Sequence, residues 1–331
     1  MRTTPRAALA IVLSLFLLAP TAVLAGDEKK DEKKDVSKIG ERDVGKGINL
    51  YSLESEIALG KQLSQQIEQT ARLVQDPVVV AYVDKVAQNL VRNSDARVPF
   101  TVKVIDSEEI NAFALPGGFF YINSGLVLAA DEEAELAGVM AHEIAHVTAR
   151  HATRQATKAQ ITQWALIPAI IFLPGGWAGY GIYQGLNFGL PLAFLKFSRD
   201  AEREADFLGV QYMYKAGYDP TAFISFFEKI REKERKQPGS VPKVFSSHPP
   251  TGERVTRAQN EIARLLPDQP EYVVSTSEFD QVKGRLAQLA AGRKIEDEKS
   301  DRPTLRSREK KEEDEKDKKE EDKPPVLKRR D

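Results

Sequence analysis

Two histidines and a glutamate form the part of this chain that is best suited to chemistry. His142 and His146 are four residues apart, and Glu143 directly follows the first of them. On a helix this spacing places both imidazoles on one face, one turn apart, where they can hold a metal ion. The Glu143 carboxylate then lies at the edge of that face, where it can take a proton from water without ligating the metal. We therefore predict a zinc centre with Glu143 as its catalytic base.

The composition of the chain supports this prediction. The 331 residues include no cysteine and only four histidines, so a bound metal must rely on histidine, aspartate or glutamate. Three of the four histidines lie within ten residues, after an apolar run that predicts a buried helix. Buried histidines are costly unless they are paired or metallated. The net charge of −1 gives no indication of a nucleic-acid partner.

A catalytic zinc needs a third protein ligand. One known arrangement places a histidine six residues after the second ligand, but that position is Ala152 here. His151 is five residues after His146, and on a continuing helix it would turn away from the metal. We interpret His151 as a histidine that lies at the surface or behind a ligand.

An acidic pair further along the chain offers a better third ligand. Glu202 and Asp206 are four residues apart and share a helix face. Glu202 could ligate the metal, while Asp206 could accept a hydrogen bond from a ligating histidine and fix its tautomer. We expect Glu204 to point elsewhere and to pair with Arg203 or Arg199. The alternative is an ordinary charged helix face.

The last histidine, His248, lies between serines and prolines in a predicted loop, with Arg254 in the helix that follows. Such a histidine could be merely exposed. It could instead approach the metal or stabilise the oxyanion that forms when water attacks a peptide carbonyl. Spacing alone leaves these alternatives open.

The elements that must position these residues are mostly helical, which predicts an α+β fold with a small sheet. A strand is predicted over 100–105, and a hairpin over 111–122 that turns at Pro116-Gly117-Gly118. Helical periodicity predicts helices over 54–73, 77–92, 131–156, 198–215, 220–236 and 251–266, with another beginning near Leu126.

Residues 159–195 contain no charged side chain, and Trp164 and Ile167 are among their many apolar residues. Prolines and glycines interrupt the stretch, so it is a poor candidate for a membrane span. We predict buried helices that cover the active-site helix. A lid that dips into a membrane or contacts substrate is the alternative.

The two ends differ from the middle of the chain. Residues 1–25 have the basic start, apolar run and small-residue cleavage site of a Sec-type signal peptide, with an uncleaved anchor as the alternative. We expect residues 26–49 to be a charged, solvated linker and residues 293–331 to be a disordered charged tail. The folded domain is then expected over residues 50–292.

Several motifs together resemble one family. They are residues 111–118, residues 135–139 leading into 142–146, Ser198-Arg199, residues 202–206, Ser247-His248-Pro249 and Arg254. Over about residues 50–289 the sequence resembles the zinc metallopeptidases of the HtpX and CAAX prenyl protease type, in particular their exported bacterial members. The resemblance implies a zincin-like peptidase domain with one Zn²⁺ per chain.

The resemblance also implies roles for individual residues. Glu202 would be the third ligand, and His248 and Arg254 would stabilise the transition state. His248 could also be a fourth ligand in a closed resting form. The hairpin would offer an open strand edge to which a substrate chain adds by main-chain hydrogen bonds, along Asn111, Ala112, Phe113 and Ala114.

The function implied is a metalloendopeptidase of the periplasm that acts on unfolded or misassembled cell-envelope proteins. Peripheral contact with a membrane or with the outer-membrane assembly machinery is a further expectation. The sequence lacks the several spans of integral-membrane relatives, which argues against processing of prenylated proteins. The alternative is a chaperone-like binding protein whose zinc site is latent and gated by the His248 loop.

Overall fold

The computed structural model describes residues 32–171, 197–236, 248 and 251–300. The predicted signal peptide, most of the uncharged stretch over 159–193 and most of the charged tail lie outside these residues. Within the described residues, no helix combines the length and apolar character that crossing a membrane requires.

The fold is predominantly helical with one small sheet, as the sequence predicts. The helices are α1 Leu53–Thr70, α2 Pro77–Arg92, α3 Ser124–Ala129, α4 Glu133–Thr148, α5 His151–Ile171, α6 Arg199–Lys215, α7 Thr221–Lys236, α8 Gly252–Leu265 and α9 Ser277–Ser300. The strands are β1 Thr101–Ile105, β2 Ala112–Leu115 and β3 Phe119–Asn123. Short 3-10 turns cover Glu32–Lys34, Val36–Lys38 and Pro116–Gly118.

Helix starts follow from capping residues in the sequence. The Asp76 side chain accepts hydrogen bonds from the backbone N–H groups of Val78 and Val79, with Pro77 in the first turn. Ser198 caps α6 and Thr251 caps α8 in the same way. The predicted starts of these three helices are confirmed.

The sheet has the strand order β1-β3-β2, with β1 parallel and β2 antiparallel to β3. The predicted hairpin is therefore confirmed. Its turn requires glycine, because Gly117 and Gly118 have φ angles of 76° and 87°. β2 is an edge strand, and α4 packs against it.

The core centres on α4, which is buried along almost its whole length. It packs against α2, α6, α7 and β2. α6 approaches it closely at Gly209, where an added Cβ atom would lie 3.2 Å from the backbone nitrogen of His142. This close contact fixes the two helices that carry the predicted ligands relative to each other.

The predicted helix over 131–156 is wrong in one respect, because it is divided in two. α4 ends at Thr148 and α5 begins at His151, with Arg150 in the left-handed region at φ 56°. Tertiary hydrogen bonds hold this conformation: Arg150 Nε donates to Glu56 Oε1 at 2.7 Å and Nη2 donates to the carbonyl of Tyr51 at 2.5 Å. The sequence has no glycine or proline at the break that would have predicted it.

Residues 32–52, which we call the N-terminal strap, also differ from the prediction of a solvated linker. Val44 is buried in the core. Arg42 and Asp95 form an ion pair of 2.6 Å between side chains that are 1% and 0% exposed. Asn49 Nδ2 donates to Thr153 Oγ1 at 2.9 Å, which fastens the strap to α5. The highly charged composition misled the prediction, because Arg42 is paired with Asp95 and therefore lies inside the fold together with the apolar Ile39 and Val44.

The last helix extends past the expected end of the domain. α9 runs to Ser300, so the boundary expected at residue 292 falls inside a helix. Its first half packs on the core through Phe279, Val282 and Leu286.

Candidate metal centre

Four side chains from three parts of the chain converge at the middle of α4. The donor atoms of His142, His146, Glu202 and His248 all lie within 4.8 Å of one another, and all four residues are buried. The two Nε2 atoms of His142 and His146 are 3.1 Å apart. His248 Nδ1 lies 2.7 Å from Glu202 Oε1 and 3.4 Å from His142 Nε2. The structure thus brings the predicted metal residues together and adds His248 to them.

These distances fit a metal ion. A tetrahedral zinc with donors at about 2.0–2.1 Å separates neighbouring donor atoms by roughly 3.3 Å. His142 Nε2 lies 3.5 Å from Glu202 Oε2, and His146 Nε2 lies 3.6 Å from Glu202 Oε1. Glu202 Oε2 is buried and receives no hydrogen bond from the described residues. Its ion pair with Arg254 Nη1, 3.3 Å away, leaves lone pairs that a metal ion can use.

Asp206 and Arg254 surround the donors on one side. Asp206 Oδ1 lies 3.0 Å from His142 Nδ1, which is the ring nitrogen opposite the donor atom. Arg254 binds Asp206 through Nε at 2.7 Å and Nη2 at 2.6 Å. Its Nη1 donates to the His248 carbonyl at 3.0 Å and lies 3.3 Å from Glu202 Oε2. Arg254 therefore connects α8, the His248 segment and α6.

The electrostatics of the two histidines on α4 differ. Burial lowers the pKa of His146 well below its ordinary value, with the charges of neighbouring groups acting in the same direction. A neutral imidazole is the form that ligates a metal. Burial also opposes the charged form of His142, but hydrogen bonds and charges from Asp206 and Glu202 raise its pKa to about 9. The acidic groups around His142 are thus strong enough to balance a cation.

Glu143 is buried beside the donors and does not join them. Its Oε1 atom lies 3.7 Å from His248 Nε2. Burial raises the pKa of its carboxyl group above the ordinary value, which makes the carboxylate a better proton acceptor. The backbone N–H of Ala114 acts in the opposite direction and lowers this pKa, so β2, which packs against α4, lies next to the candidate base.

The four residues of the predicted edge strand lie on and just before β2. Phe113 stacks on Tyr121 of β3, with ring centroids 5.2 Å apart. The carbonyl of Asn111 accepts a hydrogen bond from the backbone N–H of Asn123 at 2.9 Å. Ala112 and Ala114 are buried. The strand pairs with β3 on one side, and Ala114 faces the site on the other.

Of the two positions expected for His151, the structure shows the one behind a ligand and not the one at the surface. His151 is buried, because the break at Arg150 rotates α5 relative to α4. Its Nδ1 lies 2.9 Å from His146 Nδ1, and its Nε2 lies 3.0 Å from Glu204 Oε2. Glu204 pairs with Lys33 and Arg154 instead of the predicted arginines. The clustering of three histidines was the signal that could have pointed to this arrangement.

Phe197 is a further residue that the sequence did not single out. Its ring stacks on the imidazole of His146, with centroids 3.9 Å apart. This stacking limits rotation of the His146 ring.

A mostly helical domain with this donor set beside the edge strand of a small sheet is the architecture of a zincin-like metallopeptidase. The comparison with known families agrees. Residues 75–262 match Peptidase family M48, and the chain belongs to this family. The match includes every residue of the candidate metal centre.

Curated relatives come from bacteria and from mitochondria. The chain is 32% identical over 250 residues to the Beta-barrel assembly-enhancing protease of Escherichia coli (strain K12), an overlap of 73% of this chain and 50% of the relative. It is 33% identical over 182 residues to the Mitochondrial metalloendopeptidase OMA1 of Schizosaccharomyces pombe, which covers 54% of this chain and 51% of the relative. The chain thus spans about half the length of these relatives.

Proposed function

We propose that the chain is a zinc-dependent metalloendopeptidase that hydrolyses peptide bonds in unfolded or misassembled proteins of the cell envelope. The observation that carries this proposal is the convergence of His142, His146 and Glu202 next to Glu143, at the edge of a sheet. Membership of a peptidase family supports it. The domain responsible is proposed to include the N-terminal strap as well as α1 to α9.

In the proposed site His142, His146 and Glu202 hold zinc, and Asp206 keeps the donor nitrogen of His142 turned toward it. Zinc bound there supplies a Lewis acid for the substrate carbonyl and a water that loses its proton readily. Glu143 accepts that proton and passes it to the leaving nitrogen of the cleaved peptide bond. Its burial supports this role, since a raised pKa suits a group that must take up and release a proton.

The substrate chain is proposed to lie along β2 as an added strand. An edge strand offers main-chain donors and acceptors, which recognise backbone rather than side chains. Such recognition suits many unfolded sequences. Asn111, Ala112, Phe113 and Ala114 are proposed to form this edge, and the contact of Ala114 with Glu143 supports the placement of substrate beside the base.

For His248 and Arg254 the geometry supports two successive roles. His248 Nδ1 lies within the donor set, so we propose that it is a fourth ligand in the resting form. Arg254 contacts the His248 carbonyl and the carboxylates of Glu202 and Asp206, so it can position His248 relative to α6. If the His248 ring turned aside to admit substrate, His248 and Arg254 would both lie beside the reacting carbonyl, where they could stabilise its oxyanion.

The place of action is proposed from the relatives and from the sequence of the first 25 residues. One relative is named for the enhancement of β-barrel assembly. Together with the predicted Sec-type signal, this favours the periplasm and contact with the outer-membrane assembly machinery. Misassembled barrel proteins expose unpaired strands, which are suitable partners for an edge strand.

Replacement of the base tests the proposal. We expect purified Glu143→Gln protein to retain one zinc ion but to cleave casein at least about a hundredfold more slowly, because general-base catalysis contributes 10²–10⁴-fold. The matched control is Glu228→Gln, an exposed glutamate on α7, which should cleave at the normal rate. Undiminished cleavage by Glu143→Gln would contradict the mechanism. Suppressed aggregation without any cleavage by the unaltered protein would favour a chaperone-like role instead.

A further inference from the structure

We propose that His151 is a positioning residue for the zinc ligand His146, acting through a hydrogen-bond chain that ends at Glu204. The inference rests on the proposed function, because it assumes that His146 holds the metal. It assigns a role to the buried His151 and the half-buried Glu204, which the proposed mechanism does not use.

The first support is the geometry of the chain. His146 Nδ1 lies 2.9 Å from His151 Nδ1, and His151 Nε2 lies 3.0 Å from Glu204 Oε2. Both distances are within hydrogen-bonding range. His151 is 4% exposed, so water does not replace these contacts. The three side chains form one line that leads from the metal centre to a carboxylate.

The second support is that the protons can be placed in only one consistent way. Nε2 of His146 faces the donor set and must carry no proton when it ligates a metal. Its proton is then on Nδ1, which donates to His151 Nδ1. His151 must therefore carry its own proton on Nε2, which donates to Glu204. Both rings are neutral in this arrangement, and each donor has an acceptor.

The third support is the parallel with the other histidine ligand. His142 presents Nδ1 to Asp206 directly, and Asp206 is held by Arg254. Glu204 is likewise held by two cations, Lys33 and Arg154. Each histidine ligand thus has a carboxylate partner that is itself held by cations. Asp206 contacts His142 directly, and Glu204 contacts His146 through His151. Such partners orient a ligating imidazole and increase its basicity.

The break between α4 and α5 places His151 in this position. A straight helix would carry residue 151 away from the ligand face. The left-handed conformation at Arg150, held by Glu56, instead turns His151 beneath His146. His151 is not itself in the donor group, since its Nδ1 faces the nitrogen of His146 that points away from the other ligands.

The test measures zinc affinity and not peptide cleavage, so it is made in the Glu143→Gln background. We expect His151→Phe to weaken zinc binding, measured by competition with a chromophoric chelator, by about 10–100-fold. His151→Gln should recover most of the affinity, because its amide can accept from His146 and donate to Glu204. The visible absorption of the Co²⁺-substituted protein should change in His151→Phe and return toward normal in His151→Gln. Arg203→Gln is the control, an exposed neighbour on α6 that should change neither measurement.

Two results would overturn the inference. One is a His151→Phe protein with zinc affinity within about twofold of the parent and an unchanged cobalt spectrum. The other is equal loss in His151→Phe and His151→Gln, which would indicate that only the shape of the ring matters. If His151→Phe does not fold, zinc affinity is measured in Glu204→Leu, which has no acceptor for His151 Nε2. Unchanged zinc affinity in that variant would exclude the chain. A parent protein that binds no zinc would count against the proposed function and not against the role of His151 alone.

Discussion

At the scale of single residues, Glu202 distinguishes a metal site from an ordinary charged helix face. Its carboxylate lies 3.5 and 3.6 Å from the two histidine nitrogens on α4. We expect Glu202→Gln to lose most of its zinc, because a neutral amide is a weak donor for this ion. Metal analysis of the purified protein measures this, with the exposed Glu253→Gln as control. Full zinc occupancy in the Glu202 variant would remove this residue from the ligand set.

His248 provides a second prediction for a single side chain. If it is a resting ligand, His248→Ala should keep its zinc on the three remaining donors and cleave casein faster than the unaltered protein. The physical reason is that substrate no longer has to displace an imidazole. A steady-state rate measured at equal zinc content checks this. A slower rate at full zinc content would show that oxyanion stabilisation is the main role of His248.

The residues of the site were predictable to different degrees. His142, Glu143 and His146 depend on one helix, so their spacing alone was sufficient. The pairing of Asp206 with His142 needed the packing of α6 on α4, and four-residue spacing only indicated which side chains shared a face. For His151 the spacing left two positions open, at the surface or behind a ligand. Its actual position depends on the backbone of Arg150, whose conformation is held by a glutamate 94 residues earlier in the chain.

At the scale of elements, the distance between α4 and α6 determines whether the donors meet. Gly209→Ala would place a Cβ atom 3.2 Å from the His142 nitrogen, so the helices must separate slightly. We expect this change to reduce the free energy of unfolding by about 1–3 kcal/mol and to weaken zinc binding. Urea unfolding and chelator competition measure the two effects.

The matched control for that prediction lies on α9. An added Cβ atom at Gly284 meets nothing within 4 Å among the described residues. Gly284→Ala should therefore stabilise the protein by up to about 1 kcal/mol, because alanine favours a helix interior, and it should not alter zinc affinity. If Gly209→Ala behaved in the same way as Gly284→Ala, close packing of the two helices would not be what positions the ligands.

Most element starts were predictable because Asp76, Ser198 and Thr251 are good capping residues with local partners. The hairpin was predictable from its glycines and its alternating apolar residues. The end of α4 was not, because the sequence around it favours a continuous helix and the contacts that interrupt it come from α1 and from Tyr51.

At the scale of the whole molecule, the N-terminal strap depends on the buried pair of Arg42 and Asp95. We expect Arg42→Met to reduce the free energy of unfolding by about 3–5 kcal/mol, because Asp95 would remain buried with its charge uncompensated. The double variant Arg42→Met/Asp95→Asn should recover part of this loss. Gly40 N and Tyr212 Oη donate to different oxygens of Asp95. Asparagine keeps an oxygen that accepts from Gly40 N, and its amide nitrogen can donate to the Tyr212 hydroxyl oxygen.

An exposed pair serves as the comparison for this prediction. Arg97 lies 3.7 Å from Asp43 at the surface, and Arg97→Met should change stability by less than about 1 kcal/mol. Urea unfolding of Arg42→Met, of the double variant and of Arg97→Met measures these changes in the free energy of unfolding. Equal, small effects of Arg42→Met and Arg97→Met would mean that the strap contributes little to the fold. The packing of the N-terminal strap could not be predicted from its charged composition, since a count of charges does not show which arginine is buried.

The convergence of distant segments has a consequence for the time at which activity begins. His142 and His248 are 106 positions apart, and Glu202 lies between them. During synthesis the first two donors leave the ribosome well before the third. We expect a nascent chain that ends before α6 to bind zinc poorly, and it could not hydrolyse its neighbours or itself. The order of the donors along the chain would thus protect the cell from this peptidase until its folding is complete.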